Sequence, residues 1–513
     1  MTTRRLTALL AVFSAVLALA VVAAFGSGSA NAGAGDRAKG ATAVPADALA
    51  YASVSLDRGG APFRSLEALA ARVDGGRAAV DQLGAMLDGT DDRAALVRAL
   101  GGDVSVGLLG IDLGAAASGG MPQASAVVVA TAADGGALAR ALEQAGFRPG
   151  PALDGRPVWE RKAMAVTIDG STAIGATSRS TLAEALAAQS GAQPSLADDA
   201  AFQATIAKLP GNALAVAYLA PARFAGLVQA AGALLPEQAA PQGMPDPTQA
   251  LTQLGRDLAD VRGLGVAVTA EAGGLRVVAA GDADQAALER LGARFPTAYT
   301  AGIVDRVPAD ALGFAAFRDL GPTLLGAVRA AQAQDPQVEE LVAAVEQQTG
   351  VTIDGLAAAL AGEHAVYAVG GKAPGATLVT QPQDASGANM VLSNALGAAR
   401  DLAKDLPAGT AADKAAGLDR IGIAQDGGTL AVGTLPNAAA APAQSIAGSE
   451  AYQALRAKAG VPDAVTGLAY VDGARLRAEA AAKGMPVQPA AEAVQGAIAW
   501  GTDTGAVLFI GIR

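Results

Sequence analysis

Cysteine is absent from the 513 residues, so no disulfide, no thiol nucleophile and no lipid-modified cysteine is available. A fold without bridges must rest on its core, and a chain of this length can build one. Histidine is nearly absent too. His364 stands alone, so a zinc site built on two or three imidazoles is ruled out. No G-x-S-x-G elbow and no H-E-x-x-H occurs. Aromatic residues are 4% of the chain, and Trp159 and Trp500 are too few for a carbohydrate-stacking platform. Clustered Lys and Arg are missing beyond the first residues and the net charge is −11, which argues against nucleic acid as a partner.

What is present is alanine, within a hydrophobic fraction of 51%, together with 64 glycines and 25 prolines. Alanine favours helices but buries little area, and the glycines and prolines cut the chain into short elements. The N-terminus reads as an export signal. Arg4 and Arg5 precede the uncharged, mainly apolar run Leu6 to Phe25, and Ala30-Asn31-Ala32 fits a signal-peptidase site. The run is also long enough to span a bilayer. Residues 1–32 are therefore expected to be a cleaved signal peptide or a single retained anchor. The expected location is extracytoplasmic, secreted or held at the cytoplasmic membrane by that one helix. Residues 33–43 are expected to be a flexible spacer.

After the spacer the chain restarts itself. "VPADALAYASV" from Val44 returns as "VPADALGFAAF" from Val307, 263 residues later. Four further segments recur in the same order. "ALGGDVSVGL" (99–108) matches "ALAGEHAVYAV" (359–369), and "DGSTAIGAT" (169–177) matches "DGGTLAVGT" (426–434). "AFQATIAKLPGNALAVAYL" (201–219) matches "AYQALRAKAGVPDAVTGLAYV" (451–471), and "VRGLGVAVTAEAGGLRVVAAG" (261–281) matches "VQGAIAWGTDTGAVLFIGI" (494–512). Five matches in one order read as an internal duplication. A smaller repeat places Pro45, Pro210, Pro308 and Pro462 before strand-like runs, with Asp47, Asn212, Asp310 and Asp463 just after them.

Hairpin-like pairs alternate with helical stretches. "DVSVGLLGI" precedes "ASAVVVATA", and Glu271-Ala272-Gly273-Gly274 joins "GLGVAVTA" to "LRVVAAG". Helical stretches include "SLEALAARV", "GRAAVDQLGAML", "GGALARALEQAG" and "DQAALERLG". The expected class is α+β: two tandem lobes, 44–305 and 306–513, each a curved antiparallel sheet of roughly eight strands with helices on one face. Val104, Val106 and Leu108 would form the buried sheet face, covered by helices such as the one carrying Leu66, Leu69 and Val73.

The motif Pro45-Ala46-Asp47-Ala48-Leu49-Ala50-Tyr51 resembles the opening of a bacterial envelope family known only as a domain of unknown function. Its members likewise have one N-terminal apolar segment, a spacer, then P-A-D-[AT]-L-A-Y leading into a strand. The second copy departs at Gly313 and Phe314. The resemblance implies the envelope compartment and carries over no activity and no site residue.

No catalytic, cofactor-binding or metal-binding residue is assigned, and no cofactor is expected. His364 reads as a residue at a strand entrance. "VGGKAPG" (369–375) has Val366 and Ala373 where a phosphate loop needs Gly and Ser or Thr, and reads as a hairpin turn. "DGTDDR" (88–93) and "DADQ" (282–285) lack EF-hand spacing and read as helix-capping acids. "PEQAAPQGMPDPTQ" (236–249) reads as a loop, with a lid as the sharper alternative. The expected function is a non-enzymatic binding or scaffolding module for an unknown envelope protein. Alternatives are a carrier of an apolar small molecule such as a lipid, and a carboxylate- or serine-dependent hydrolase.

Overall fold

A computed structural model describes residues 38–55, 60–73, 99–112, 123–233, 255–256, 259–283, 297–334, 336–404, 418–435, 437–487 and 489–513. The apolar N-terminal run, the stretch 76–87, "DGTDDR", 236–249 and the helix expected from 284 lie outside the described residues. The chain divides into two compact units, Met1–Asp284 and Gln285–Arg513.

Among the described residues unit 1 holds ten strands: β1 Ala50–Ser55, β2 Leu100–Asp112, β3 Gln123–Ala132, β4 Arg148–Leu153, β5 Arg156–Arg161, β6 Met164–Asp169, β7 Thr172–Ala176, β8 Ala215–Leu219, β9 Val261–Glu271 and β10 Gly274–Ala283. Every pairing is antiparallel, in the order β4-β5-β6-β7-β3-β2-β1-β8-β9-β10. Unit 2 holds eight among its described residues: β11 Ala311–Arg318, β12 Glu363–Val369, β13 Gly375–Gln381, β14 Gly422–Asp426, β15 Thr429–Gly433, β16 Leu468–Asp472, β17 Val494–Gly501 and β18 Gly505–Ile512. Their order, β14-β15-β13-β12-β11-β16-β17-β18, is that of unit 1 from β6 to β10, position for position. Unit 1 adds the β4–β5 hairpin. The expected α+β class with antiparallel sheet is what the structure has.

The restart motif has a specific mechanical role. Pro45 bridges Ser195, and Pro308 bridges Ser445. On either side of each proline the backbone pairs: Leu196 N donates to Val44 O and Ala46 N to Pro194 O, as Ile446 N does to Val307 O and Ala309 N to Gln444 O. Proline fits because no amide is needed at that position. The bridged turn leads into a short helix, α4 Ala200–Ile206 in unit 1 and α10 Glu450–Ala459 in unit 2. Asp199 caps the first by accepting from Phe202 N, and Ser449 caps the second by accepting from Tyr452 N. Each helix drives one ring into the sheet. Phe202 meets Tyr51 and Tyr218 edge-on, with centroids 5.5 and 5.0 Å away. Tyr452 meets Phe314 at 5.8 Å and Tyr470 at 5.2 Å. The sheet rings are cross-strand neighbours, Tyr51 opposite Tyr218 and Phe314 opposite Tyr470.

Three departures from the sequence reading have physical causes. The expected spacer ends early, because Lys39–Ala43 forms a 3-10 turn whose Ala41 and Ala43 are buried in the core beside Val44. The second unit begins before the expected residue 306, because Tyr299 pairs with Val465 and Ile303 and Val304 lie in the second core. The sheet faces are the reverse of those expected. The main core of unit 1 uses Tyr51, Val127, Val129, Ile174 and Tyr218, the alternate set to Val104, Val106 and Leu108. On β2 that core face shows Ser105 and Gly107. A Cβ on Gly107 would sit 2.5 Å from Val44 Cγ1, so the restart turn occupies the space a larger side chain would take. Helices also lie on both faces. α3 (Arg179–Gln189) buries Leu182 and Leu186 on the core face, whereas α2 (Gly135–Gln144) buries Leu138 and Leu142 with Ala173 on the other. The helix α1 (Ala61–Ala70), carrying Leu66 and Leu69, packs against β9.

Removing one ring tests the plug. Phe202→Ala should cost about 3–5 kcal/mol in urea or guanidinium unfolding. A loss under about 1 kcal/mol would show that the helix is not held by that ring.

Candidate functional site

The residues with chemical promise are absorbed by the fold. His364 is fully buried on β12, with its ring stacked on Phe317 at 5.5 Å. Its Nε2 lies 2.8 Å from Leu360 O at the end of α8 (Ile353–Ala359). Since a carbonyl only accepts, Nε2 carries the proton and Nδ1 is a bare acceptor. Among the described residues Nδ1 has no partner, nor has Oγ1 of Thr380, the residue directly opposite on β13. Burial holds the imidazole below its ordinary range, against the opposing pull of the Leu360 carbonyl and Asp319. Leu360 and Phe317 hold His364 as a strand-entrance core residue.

"VGGKAPG" joins β12 to β13, and its Gly371 N donates to Glu479. Asp282 lies next to last in β10, and its carboxylate takes Arg262 at 3.1 Å and Lys208 at 3.5 Å. Burial pushes that carboxyl up, but the Arg262 hydrogen bond and charge and the Lys208 charge outweigh it and hold it below the usual range. Two cations around one acid leave no place for calcium. Among the described residues, no cluster of three or more potential metal-ligating side chains occurs. Trp500 is buried in the second core, and Trp159 packs half-buried beside the α2 cluster.

A chain of buried hydroxyls does distinguish unit 1. Tyr51 Oη donates to Ser105 Oγ at 2.9 Å, and Ser105 Oγ donates to Ser53 Oγ at 3.1 Å. Burial pushes the Tyr51 phenol up to about 12, and it stays protonated. The matching positions in unit 2 are Phe314, Ala365 and Ala316, so the network is a local way to fill space, with no base beside a nucleophile. Elsewhere each unit has an open cleft among the described residues, about 310 Å3 beside Arg64, Leu69 and Arg72 in unit 1 and about 470 Å3 beside Asp305, Tyr452 and Arg456 in unit 2.

The feature the two units share is a surface. In unit 1 one cross-strand row runs from Val166 on β6 through Val128, Val106, Ala52 and Val266 to Ala279 on β10. In unit 2 the corresponding row runs from Ile423 on β14 through Leu378, Val366, Ala315 and Ala469 to Leu508 on β18. Every position in both rows is Ala, Val, Leu, Ile or Gly. The rows lie on the face away from the main cores; Val166 packs against the α2 cluster, and the exposed members are Val128 at 40%, Val266 at 37%, Val366 at 41% and Leu508 at 37%. In an antiparallel sheet with one solvated face, polar residues normally alternate outward. Here they do not. Sequence reading missed this site because it assigned Val106, with Val104 and Leu108, to the buried face.

Comparisons with known proteins give a match to part of the chain. Residues 148–397 match the family described as a protein of unknown function, DUF3352, which bears out the resemblance to a domain of unknown function. The matched span runs from β4 into α9 (Ala385–Lys404) and includes the second restart motif. No curated protein matches. Among solved structures, crystal form I of TP0453 is 10% identical over 48% of this chain and 79% of that one, with a TM-score of 0.25. Crystal form IV of TP0453 is 11% identical over 51% and 87%, also at 0.25.

The buried histidine makes acid stability testable. With the folded-state pKa below the unfolded value of 6.5, both states are neutral above pH 6.5 and the group is silent. Below it the unfolded chain takes the proton first, so stability falls as pH drops, by at most about 1.4 kcal/mol per pH unit. Urea unfolding at pH 7.0 and 5.5 should show this fall in the parent, and His364→Leu should show a shallower one. Equal slopes would mean that His364 is not held neutral.

Proposed function

We propose that the chain is a non-enzymatic binding or scaffolding protein of the bacterial envelope, exported or anchored by its N-terminal segment, with an apolar protein surface as its partner. The observation that carries this reading is the pair of solvent-open apolar rows. Exposed aliphatic rows across the middle of a sheet are costly in water, by about 25 cal/mol for each Å2 left uncovered, and a contiguous patch of this kind marks an interaction surface. His364, the Asp282 carboxylate and the Tyr51 phenol are each engaged by neighbours, which fits a surface role better than a reactive one.

Export through residues 1–32 remains part of the proposal. It rests on the charged start, the apolar run and the small-x-small site. Among the described residues no helix is long and apolar enough to cross a membrane.

The test uses the chain from Ala38 onward, because removal to residue 43 would strip Ala41 and Ala43 from the core. As bait in detergent-solubilised envelope it should retain a partner, and Val128→Asp with Val266→Asp should lose it. Both sites are exposed, so unfolding stability should change by no more than about 1 kcal/mol. Retention by the double variant equal to the parent's would sink the reading. Native mass spectrometry of the parent separates the carrier alternative: the bare polypeptide mass is expected, and a stoichiometric lipid adduct would favour a carrier.

A further inference from the structure

The two sheets differ at one end. In unit 1 the outer edge of β6 is filled by β5, with Val158 opposite Thr167 and Trp159 opposite Val166. In unit 2 the strand at that place is β14, and among the described residues β15 is its one strand neighbour. The positions correspond closely. β6 turns into β7 through Gly170-Ser171, closed by Asp169 opposite Thr172. β14 turns into β15 through Gly427-Gly428, closed by Asp426 opposite Thr429. Gly170 and Gly427 both take the left-handed conformation, at φ 59° and 54°. Counted back from the closing pair, Thr167 matches Ala424 and Val166 matches Ile423.

A two-residue loop makes its closing pair a hydrogen-bonded one, and the ladder then alternates. Asp426, Ala424 and Gly422 therefore point their amides at β15, whereas Ile423 and Gln425 point theirs outward. Unit 1 shows what belongs there: β5 brings Val158, 1% exposed, into the rim of the core. Ala424 lies at the rim of the second core with only a methyl group to offer. Unit 1 also closes its own outer edge, because β4 carries Pro149 and Pro151, which have no amide to pair. β14, Gly-Ile-Ala-Gln-Asp, has no proline and one charge at its end.

We propose that the outer edge of β14 accepts an extended segment of a partner protein as an added antiparallel strand, with an aliphatic residue opposite Ala424 standing in for Val158. This deepens the binding reading above and uses a different surface, so the two can fail separately. The probe is a labelled peptide of this chain's own β5 segment, Gly155 to Lys162, titrated into the full chain and followed by fluorescence anisotropy. Saturable binding is expected. It should weaken at least about tenfold in Ile423→Pro, which removes an outward amide while sparing the β14–β15 ladder. A peptide with Asp in place of Val158 should bind equally poorly. The Val128→Asp, Val266→Asp variant should bind the peptide normally even where envelope capture is lost. Absence of saturable binding, or equal binding by Ile423→Pro, overturns the proposal. If Ile423→Pro does not fold, amide exchange in the parent decides: the Ile423 and Gln425 amides should slow on peptide addition, and unchanged exchange overturns it.

Discussion

In a chain so poor in aromatic residues, the fold depends on where the few bulky rings go. Three rings sit at the centre of each unit, two as cross-strand neighbours and the third delivered by a capped helix. Alanine supplies helices and area but little reach, so a layer of alanine-rich helices cannot by itself span the roughly 10 Å between packed layers. Phe202 and Tyr452 do span it. Their placement requires the helix to start at a fixed height, and the proline-bridged turn sets that height through the pairs Val44–Leu196 and Val307–Ile446. The repeated words of the sequence are thus the clamp that registers helix against sheet.

Close approach of helix and sheet is the companion constraint, and small residues meet it. A Cβ on Gly263 would lie 2.3 Å from Thr205 Oγ1, and one on Gly265 would lie 2.7 Å from Thr205 Cγ2. β9 must present bare backbone there for α4 to come near enough for Phe202 to reach Tyr218. Arg223 ties the same corner, donating to Ala48 O at 2.7 Å and pairing with Asp199, the residue that caps α4. One side chain thereby links the restart turn, the cap and the helix α5 (Pro221–Ala233) that follows β8.

Much of the topology was legible, because hairpins are written locally. Glu271-Ala272-Gly273-Gly274 joins β9 and β10, and "VGGKAPG" joins β12 and β13, as their turn residues imply. The β4–β5 hairpin was not legible, since "RPGPAL" and "RPVWER" carry prolines that argue against strands until one sees that they lie at an edge. The candidate site was misread for a reason particular to this fold. Alternation in "VSVGL" identifies two faces but not which is covered. The usual rule assigns the larger side chains inward, and on β2 the inner positions, Ser105 and Gly107, are small because Tyr51 and Val44 already occupy the space. His364 was placed correctly at a strand entrance, yet its stacking on Phe317 could come only from three-dimensional register.

That reversal bears on function. The main core of each unit is filled by rings and a turn, so the outer-face positions that stay exposed, Val128, Val266 and Val366, could be Thr, Lys or Glu without opening it. They are Val, and their cross-strand neighbours in the two rows are Ala, Val, Leu, Ile or Gly, although on β11 and β12 Phe317 and His364 share that face. Polar residues do occur at the ends of these strands, as at Arg262, Glu271 and Arg318, where they are exposed or paired. General hydrophobicity of the chain would not sort polar residues to the strand ends and apolar ones to the middle. A face that must be dry when covered would. It is on this sorting that the proposed binding surface rests.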